Sequence, residues 1–186
     1  LFTAGDTANP ARLNYTDLHQ LRTQRANAFI DLPLDAITSL FQYQNALYGM
    51  ARDGGVRVNG TTFDSDLAIG NQYVETVPQM PGCVSHRSVV SVPSLGLMFW
   101  WSEEGPILWD GNKSVKLAQR YLDGAPRGLQ RFFAGTSNFD QSFMRYVVGQ
   151  HRASRSEIWW WLSTASSIRD VAYVYNYDID EFYGPV

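Results

Sequence analysis

A chain of 186 residues can bury the core of one domain or of two small ones, and a make-up that is 45% apolar, 14% aromatic and 18% charged excludes a disordered chain. Fifteen Lys and Arg against eighteen Asp and Glu leave a net charge of −3, which excludes a protein that grips nucleic acid over its whole surface by neutralising phosphates. One cysteine, Cys83, excludes an internal disulfide and a cysteine-based zinc site.

Leu1-Phe2-Thr3-Ala4-Gly5 reads as a strand entering a turn, and the opening Leu in place of Met suggests a piece of a longer protein. Further along, strand-length apolar runs follow at Ala36 to Tyr43, Ala46 to Ala51, Val56 to Val58, Ser88 to Val92, Leu97 to Ser102, Ile107 to Trp109, Glu157 to Ser163 and Val171 to Tyr177. Turn residues stand between them: Arg52-Asp53-Gly54-Gly55, Val58-Asn59-Gly60, Glu103-Glu104-Gly105-Pro106 and Trp109-Asp110-Gly111. Ser114 to Leu122 is the best helix, with Val115, Ala118, Tyr121 and Leu122 on one face, a serine to cap it and Asp123-Gly124 to end it. The most apolar stretch, Leu95 to Trp101, is far shorter than the about eighteen residues of a membrane helix, so no span is expected.

The chain also resembles itself. Leu47 to Gly60 lies over Met98 to Gly111 at an offset of 51, and Leu97 to Ser102 lies over Ile158 to Ser163 at an offset of 61, with Val171 to Tyr177 as the returning strand. A repeat of this length holds three or four antiparallel strands, the content of a propeller blade. The expected fold is therefore all-β: a β-propeller-like array of three to four antiparallel blades in one domain, with one or two short connecting helices and blade-like units at about 1–33, 34–81, 82–130 and 131–186. A plain β-sandwich with look-alike hairpins is the competing architecture.

Chemical signatures are sparse. His19, His86 and His151 share no ligand spacing, and Ser85 and His86, near Cys83, point to opposite faces of an extended chain. Asp64-Ser65-Asp66 and Asp178-Ile179-Asp180-Glu181 lack the glycine and distal glutamate of a calcium loop and read as solvated turns. Ser102, Glu104 and Trp109 approximate the Asp box of sialidase-type propellers, but with the glycine displaced to 105 and a single copy they read as a hairpin turn; Trp109-Asp110 is likewise no sign of a WD40 blade. Asn14, Asn59 and Asn112 each open a weak N-glycosylation pattern.

Two groups remain as contact candidates. Trp100, Trp101, Trp159, Trp160 and Trp161 alternate across strands, so one set enters the core while the other faces a ligand, a partner subunit or water. His151-Arg152-Ala153-Ser154-Arg155, with Arg131 and Arg145, is the locally basic stretch and reads as a loop between strands. Repeated around the lumen of a ring, Arg145, Arg152 and Arg155 would touch passing DNA.

Gly82-Cys83-Val84-Ser85-His86-Arg87-Ser88-Val89-Val90, then Gly96 to Gly105, then Trp109-Asp110-Gly111 resemble the β-propeller region of tail proteins from tailed bacteriophages: the nozzle, or tail tubular protein B, of short-tailed phages, and the related tail hub. Gly5 to Asp17 is similar to that family's opening, and Glu157 to Trp161 with Ala172 to Tyr177 to its closing hairpin. Pro106 departs from the family's turn, and the flanking platform regions are not in this chain. The resemblance implies a structural virion protein with no catalytic residue and no cofactor. It implies a sixfold ring of copies below an adaptor and portal, whose channel holds and then conducts the genome with transient DNA contact. The rival functions are a carbohydrate- or receptor-binding module carried by exposed tryptophans, and a glycosidase using Glu103, Glu104, Asp110 or Asp178.

Overall fold

Strand-forming β-branched and aromatic residues between acid–glycine and amide–glycine turns leave the backbone one economical arrangement, hairpin after hairpin. A computed structural model describes residues 2–15, 29–44, 46–59, 73–117, 139, 141–164 and 168–186. Its strands make four antiparallel sheets in plain sequential order, so the fold is all-β. The first sheet holds β1 (Phe2–Ala4), β2 (Arg12–Tyr15) and β3 (Phe29–Asp31). The second holds β4 (Ser39–Tyr43), β5 (Ala46–Met50), β6 (Gly55–Asn59) and β7 (Tyr73–Thr76). The third holds β8 (Val90–Val92), β9 (Leu97–Ser102), β10 (Gly105–Trp109) and β11 (Ser114–Lys116). The fourth holds β12 (Val148–Arg152), β13 (Glu157–Leu162), β14 (Val171–Asn176) and β15 (Glu181–Tyr183). Two compact units divide them, Leu1–Gly82 and Cys83–Val186.

The helix expected over Ser114 to Leu122 does not begin at Ser114; of the described residues in that stretch only the last, Leu117, is helical. Ser114–Lys116 is β11, paired to β10 through Trp109↔Ser114, Leu108↔Val115 and Ile107↔Lys116, because a waiting sheet edge outweighs a weak local helical period. Residues 118–122 lie outside the described residues. Connections among the described residues use short 3-10 turns instead, at His86–Ser88, Pro93–Leu95, Gln141–Tyr146 and Ala153–Arg155. His151 and Arg152, expected in a loop, belong to β12.

In the Leu1–Gly82 unit the first and second sheets meet across Leu13, Leu32, Ile37, Val56 and Val58, with Phe2, Ile30, Leu47 and Val74 at the margin. Gly49 makes this approach possible: a Cβ there would stand 2.7 Å from Leu32 Cδ1. The second sheet's other face carries Phe41 stacked on Tyr48 at 5.3 Å.

In the Cys83–Val186 unit, Val90, Val92, Phe99 and Trp101 of the third sheet pack against Ile158, Trp160, Leu162, Tyr173 and Tyr175 of the fourth. Trp101 and Trp160 meet edge to face at 5.6 Å, and Trp101 meets Phe139 in the same way at 6.4 Å. Burial pushes the Tyr173 phenol from its ordinary value of 10 up to about 12. The folded value is the higher one, so the stability gained by keeping Tyr173 neutral is complete below pH 10 and is lost as pH rises from 10 through 12. Denaturation series across that window should show the Tyr173→Phe variant losing less stability with pH than the parent chain.

The internal repeat is visible in the registers. Met50↔Gly55, Gly49↔Val56 and Leu47↔Val58 recur 51 positions on as Trp101↔Pro106, Trp100↔Ile107 and Met98↔Trp109. Pro106 thus sits inside β10, and the turn before it is the two-residue Glu103-Glu104 link. For the third copy the offset is 60, not 61. Pro93–Leu95 followed by left-handed Gly96 (φ 62°) matches Ala153–Arg155 followed by left-handed Ser156 (φ 57°), and each left-handed residue donates its N–H back to the turn's first carbonyl. Leu97 therefore corresponds to Glu157, Phe99 to Trp159 and Trp101 to Trp161. The Trp-Trp-Ser and Trp-Leu-Ser likeness at 61 is a one-residue slip, which exchanges the two faces of the strand.

Candidate functional site

β13 alternates strictly: Ile158, Trp160 and Leu162 are buried, while Glu157, Trp159 and Trp161 are half-buried on the opposite face. Register places Val148, Gln150 and Arg152 of β12 directly across from Trp161, Trp159 and Glu157, with Ala172, Val174 and Asn176 of β14 on their other side. Cross-strand neighbours share a face, so the outer face of the fourth sheet is a band of two tryptophans edged by an amide, a guanidinium and a carboxylate. Arg152 lies over the Trp159 ring at 5.0 Å, and its Nη1 is 3.8 Å from Glu157 Oε2. That oxygen accepts the Trp159 indole N–H at 2.9 Å. Trp161 stacks on Trp159 at 5.8 Å and 29°. Trp159 thus has a cation and a second indole as ring neighbours within its own sheet.

The other tryptophans singled out from the sequence lie elsewhere. Trp100, Trp101 and Trp160 are all fully buried. Expectation of a ligand or subunit contact therefore passes to Trp159 and Trp161. β9 departs from simple alternation because Met98, Trp100, Ile107 and Trp109 on one face are buried as completely as Phe99 and Trp101 on the other.

The three candidate arginines do not form one patch on one strand end. Arg145 precedes β12 and stacks on Tyr146 at 4.8 Å, with Tyr146 also packed against Phe143. Arg152 and Arg155 lie at or beyond the far end of β12. Arg131 lies outside the described residues, as do His19 and Asp64-Ser65-Asp66. His151 is paired with the Tyr177 hydroxyl at 3.0 Å.

Segment Cys83 to Ser88 is a structural node. Ser88 is fully buried; its hydroxyl donates to Ser85 O at 2.7 Å and accepts the Trp101 backbone N–H at 3.1 Å, while its carbonyl accepts the Trp160 indole N–H at 3.1 Å. Cys83 Sγ donates to the same Ser85 carbonyl, and Val84 N–H to Trp101 O. Ser85 is buried, while His86 is exposed and opens the 3-10 turn that follows, so the pair is not in one extended stretch. The sequence signal for Ser88 is slight, a hydroxyl just before an apolar strand, a position that closes turns.

The acids expected from a glycosidase reading sit in separate turns. Ser102 Oγ donates to Gly105 O at 2.8 Å and accepts the Glu104 N–H at 3.1 Å, closing the β9–β10 hairpin, and Glu104 pairs with Lys116. Asp110 is in the next turn, at the other end of β10. It accepts the N–H groups of Lys113 and Asn112, bonds that hold its carboxyl below the ordinary carboxylate range. Asn112 is exposed in this turn. Asp178 follows Asn176, whose side-chain oxygen accepts the Asp178 and Ile179 N–H groups, and Asp180 accepts the Tyr175 hydroxyl. Among the described residues no group of three or more His, Cys, Asp or Glu is placed to hold a metal ion. No helix there is long and apolar enough to cross a membrane.

A concavity in the Leu1–Gly82 unit was not foreseen. It is an open cleft of about 460 Å³ lined by Leu32, Leu34, Asp35, Asp53, Gly54 and Thr76, with both carboxylates exposed. Its acids lie eighteen positions apart and come to line one cleft only through folding, so no spacing rule points to them. No protein-family model matches the chain, and no curated protein matches it.

Proposed function

We propose that the chain is a structural protein of a phage tail, a nozzle- or hub-type component whose copies form part of the tube wall that retains the packaged genome and conducts it at ejection. The observation that carries this reading is the employment of the segments resembling such proteins. Gly82 to Val90 and Gly96 to Gly105 spend their polar groups on joining sheets: Ser88 ties β9 to Trp160 of the fourth sheet, and Ser102 closes the hairpin. Side chains committed to backbone closure and sheet-to-sheet contact suit a wall, which must pass load through many buried contacts without yielding. Copies arranged around an axis would meet an adaptor, a portal and the passing DNA as partners, with Arg145 and Arg155 as the cations to examine at the lumen.

Cryo-electron microscopy of purified virions of the phage that encodes the chain should show these sheets in a ring on the tail axis. Absence of the chain from intact virions, by mass spectrometry of the same preparation, overturns the proposal.

A further inference from the structure

The corrected register gives each sheet two distinguishable faces. One face, Leu47 and Gly49 with Val56 and Val58 in the second sheet and Ile158 and Trp160 in the fourth, packs onto the preceding sheet of its own unit. The opposite face of the third sheet, Phe99 and Trp101, receives the following sheet and is fully buried. Within each unit the two sheets therefore stack head to tail, the following sheet seated on the one before it. Trp159 and Trp161 are the positional equivalents of Phe99 and Trp101, so the outer face of the fourth sheet is a receiving face. Yet both indoles remain half-buried, and Arg152 beside them is 43% exposed.

The first sheet supplies the complementary surface. Its inner side packs on the second sheet, which leaves Thr3, Asn14, Phe29, Arg12 and Asp31 on the outer side by register. Arg12 lies over the Phe29 ring at 3.7 Å and is bound to Asp31 through two hydrogen bonds, yet the Asp31 side chain is 60% exposed. One surface thus offers indoles with an Arg152–Glu157 pair whose guanidinium is partly exposed, the other a phenyl ring with an Arg12–Asp31 pair whose carboxylate is the more exposed member.

We infer that the Trp159–Trp161 face of one copy receives the Phe29–Asp31 face of a second copy, Arg152 toward Asp31, continuing between molecules the head-to-tail stacking seen within each unit. Such a contact is heterologous, and repeated it closes a ring or runs on as a filament. The inference rests on the tail reading for the expectation that copies associate, and adds which faces meet. A second copy is favoured over a saccharide because Trp159 and Trp161 stand at the positions of Phe99 and Trp101, whose face takes up a whole sheet within the same unit.

The test uses the exposed neighbours Gln150 and Thr3, whose replacement leaves both cores intact. Light scattering and analytical ultracentrifugation should show the parent chain self-associating, and Gln150→Arg or Thr3→Arg alone weakening association about tenfold or more. Mixed, the two variants should form a dimer that goes no further, because each retains one working face. Circular dichroism of each variant checks that it is folded. A parent chain that stays monomeric, single variants that assemble like the parent, or a mixture that fails to pair overturns the inference. If the chain is nevertheless found in virions, these outcomes remove the face assignment alone; its absence from virions removes the tail reading.

Discussion

Gly149→Ala should lower the unfolding free energy of the Cys83–Val186 unit by about 3 kcal/mol. Gly149 is not in the left-handed region, so alanine is allowed by the backbone, and on conformational entropy alone the change would stabilise by roughly 0.4–1 kcal/mol. Contacts reverse that sign. A Cβ would stand 2.5 Å from Val90 Cγ2, 2.6 Å from Ser88 O and 3.1 Å from Trp160 Nε1. A methyl at 149 therefore pushes on the carbonyl and the indole that join the third sheet to the fourth, and one of the three atoms is backbone, which cannot step aside by changing a rotamer. Urea unfolding followed by tryptophan fluorescence measures the loss. Gln150→Ala, one residue along β12 and exposed, is the control and should stay within about 0.5 kcal/mol of the parent. Equal stability of the parent and Gly149→Ala would mean the two sheets can separate by a few tenths of an ångström at no cost.

The same crossing shows where sequence reading succeeds and where it stops. Strands with strong apolar content between acid–glycine turns were legible to within a residue or two: Leu97–Ser102 has its expected bounds, and Ala46–Met50 and Val171–Asn176 nearly so. These owe their conformation to local propensity and their own hairpin partners. Short strands with polar or mixed residues, such as β2, β7, β12 and β15, carry no such pattern and form because a neighbouring strand offers a ladder. β11 is the sharpest case, for its helical period was real but was overruled by pairing with β10.

Site-level reading stops short for a related reason. Which face of an aromatic strand is buried depends on register, and register depends on the turn before it. Gly96 and Ser156 occupy the same left-handed position, but only one is a glycine, so the turn that sets the offset at 60 left no common mark in the sequence. A similarity of Trp, Leu and Ser then draws the alignment one residue off; the alternation within β13 is legible, with Trp160 facing opposite to Trp159 and Trp161, but which of the two sets enters the core is not. Full burial of both faces of β9 was equally out of reach, since covering a second face is decided by distant residues.

Ser88→Ala should cost about 2 kcal/mol, at the loss of a single oxygen atom. The hydroxyl is wholly buried and does two things at once, accepting the Trp101 N–H and donating to Ser85 O. Ser85 O keeps the Ser88 N–H and the Cys83 thiol as donors, so it is little affected. The Trp101 amide instead loses its Ser88 acceptor in a place where the residue has no exposed surface, and the desolvation already incurred there is no longer offset. Because the Trp160 indole donates to the backbone carbonyl of Ser88, that bond survives the substitution, and the sheet-to-sheet contact is weakened from the third-sheet side only. Hydrogen exchange of the Trp101 amide separates this from general loosening: it should quicken roughly thirtyfold, the equivalent of that cost, whereas amides of the second sheet should keep the parent's rates. Unchanged exchange at Trp101 would show the hydroxyl to be a filler and would remove Ser88 from the role of tie between β9 and the turn that precedes it.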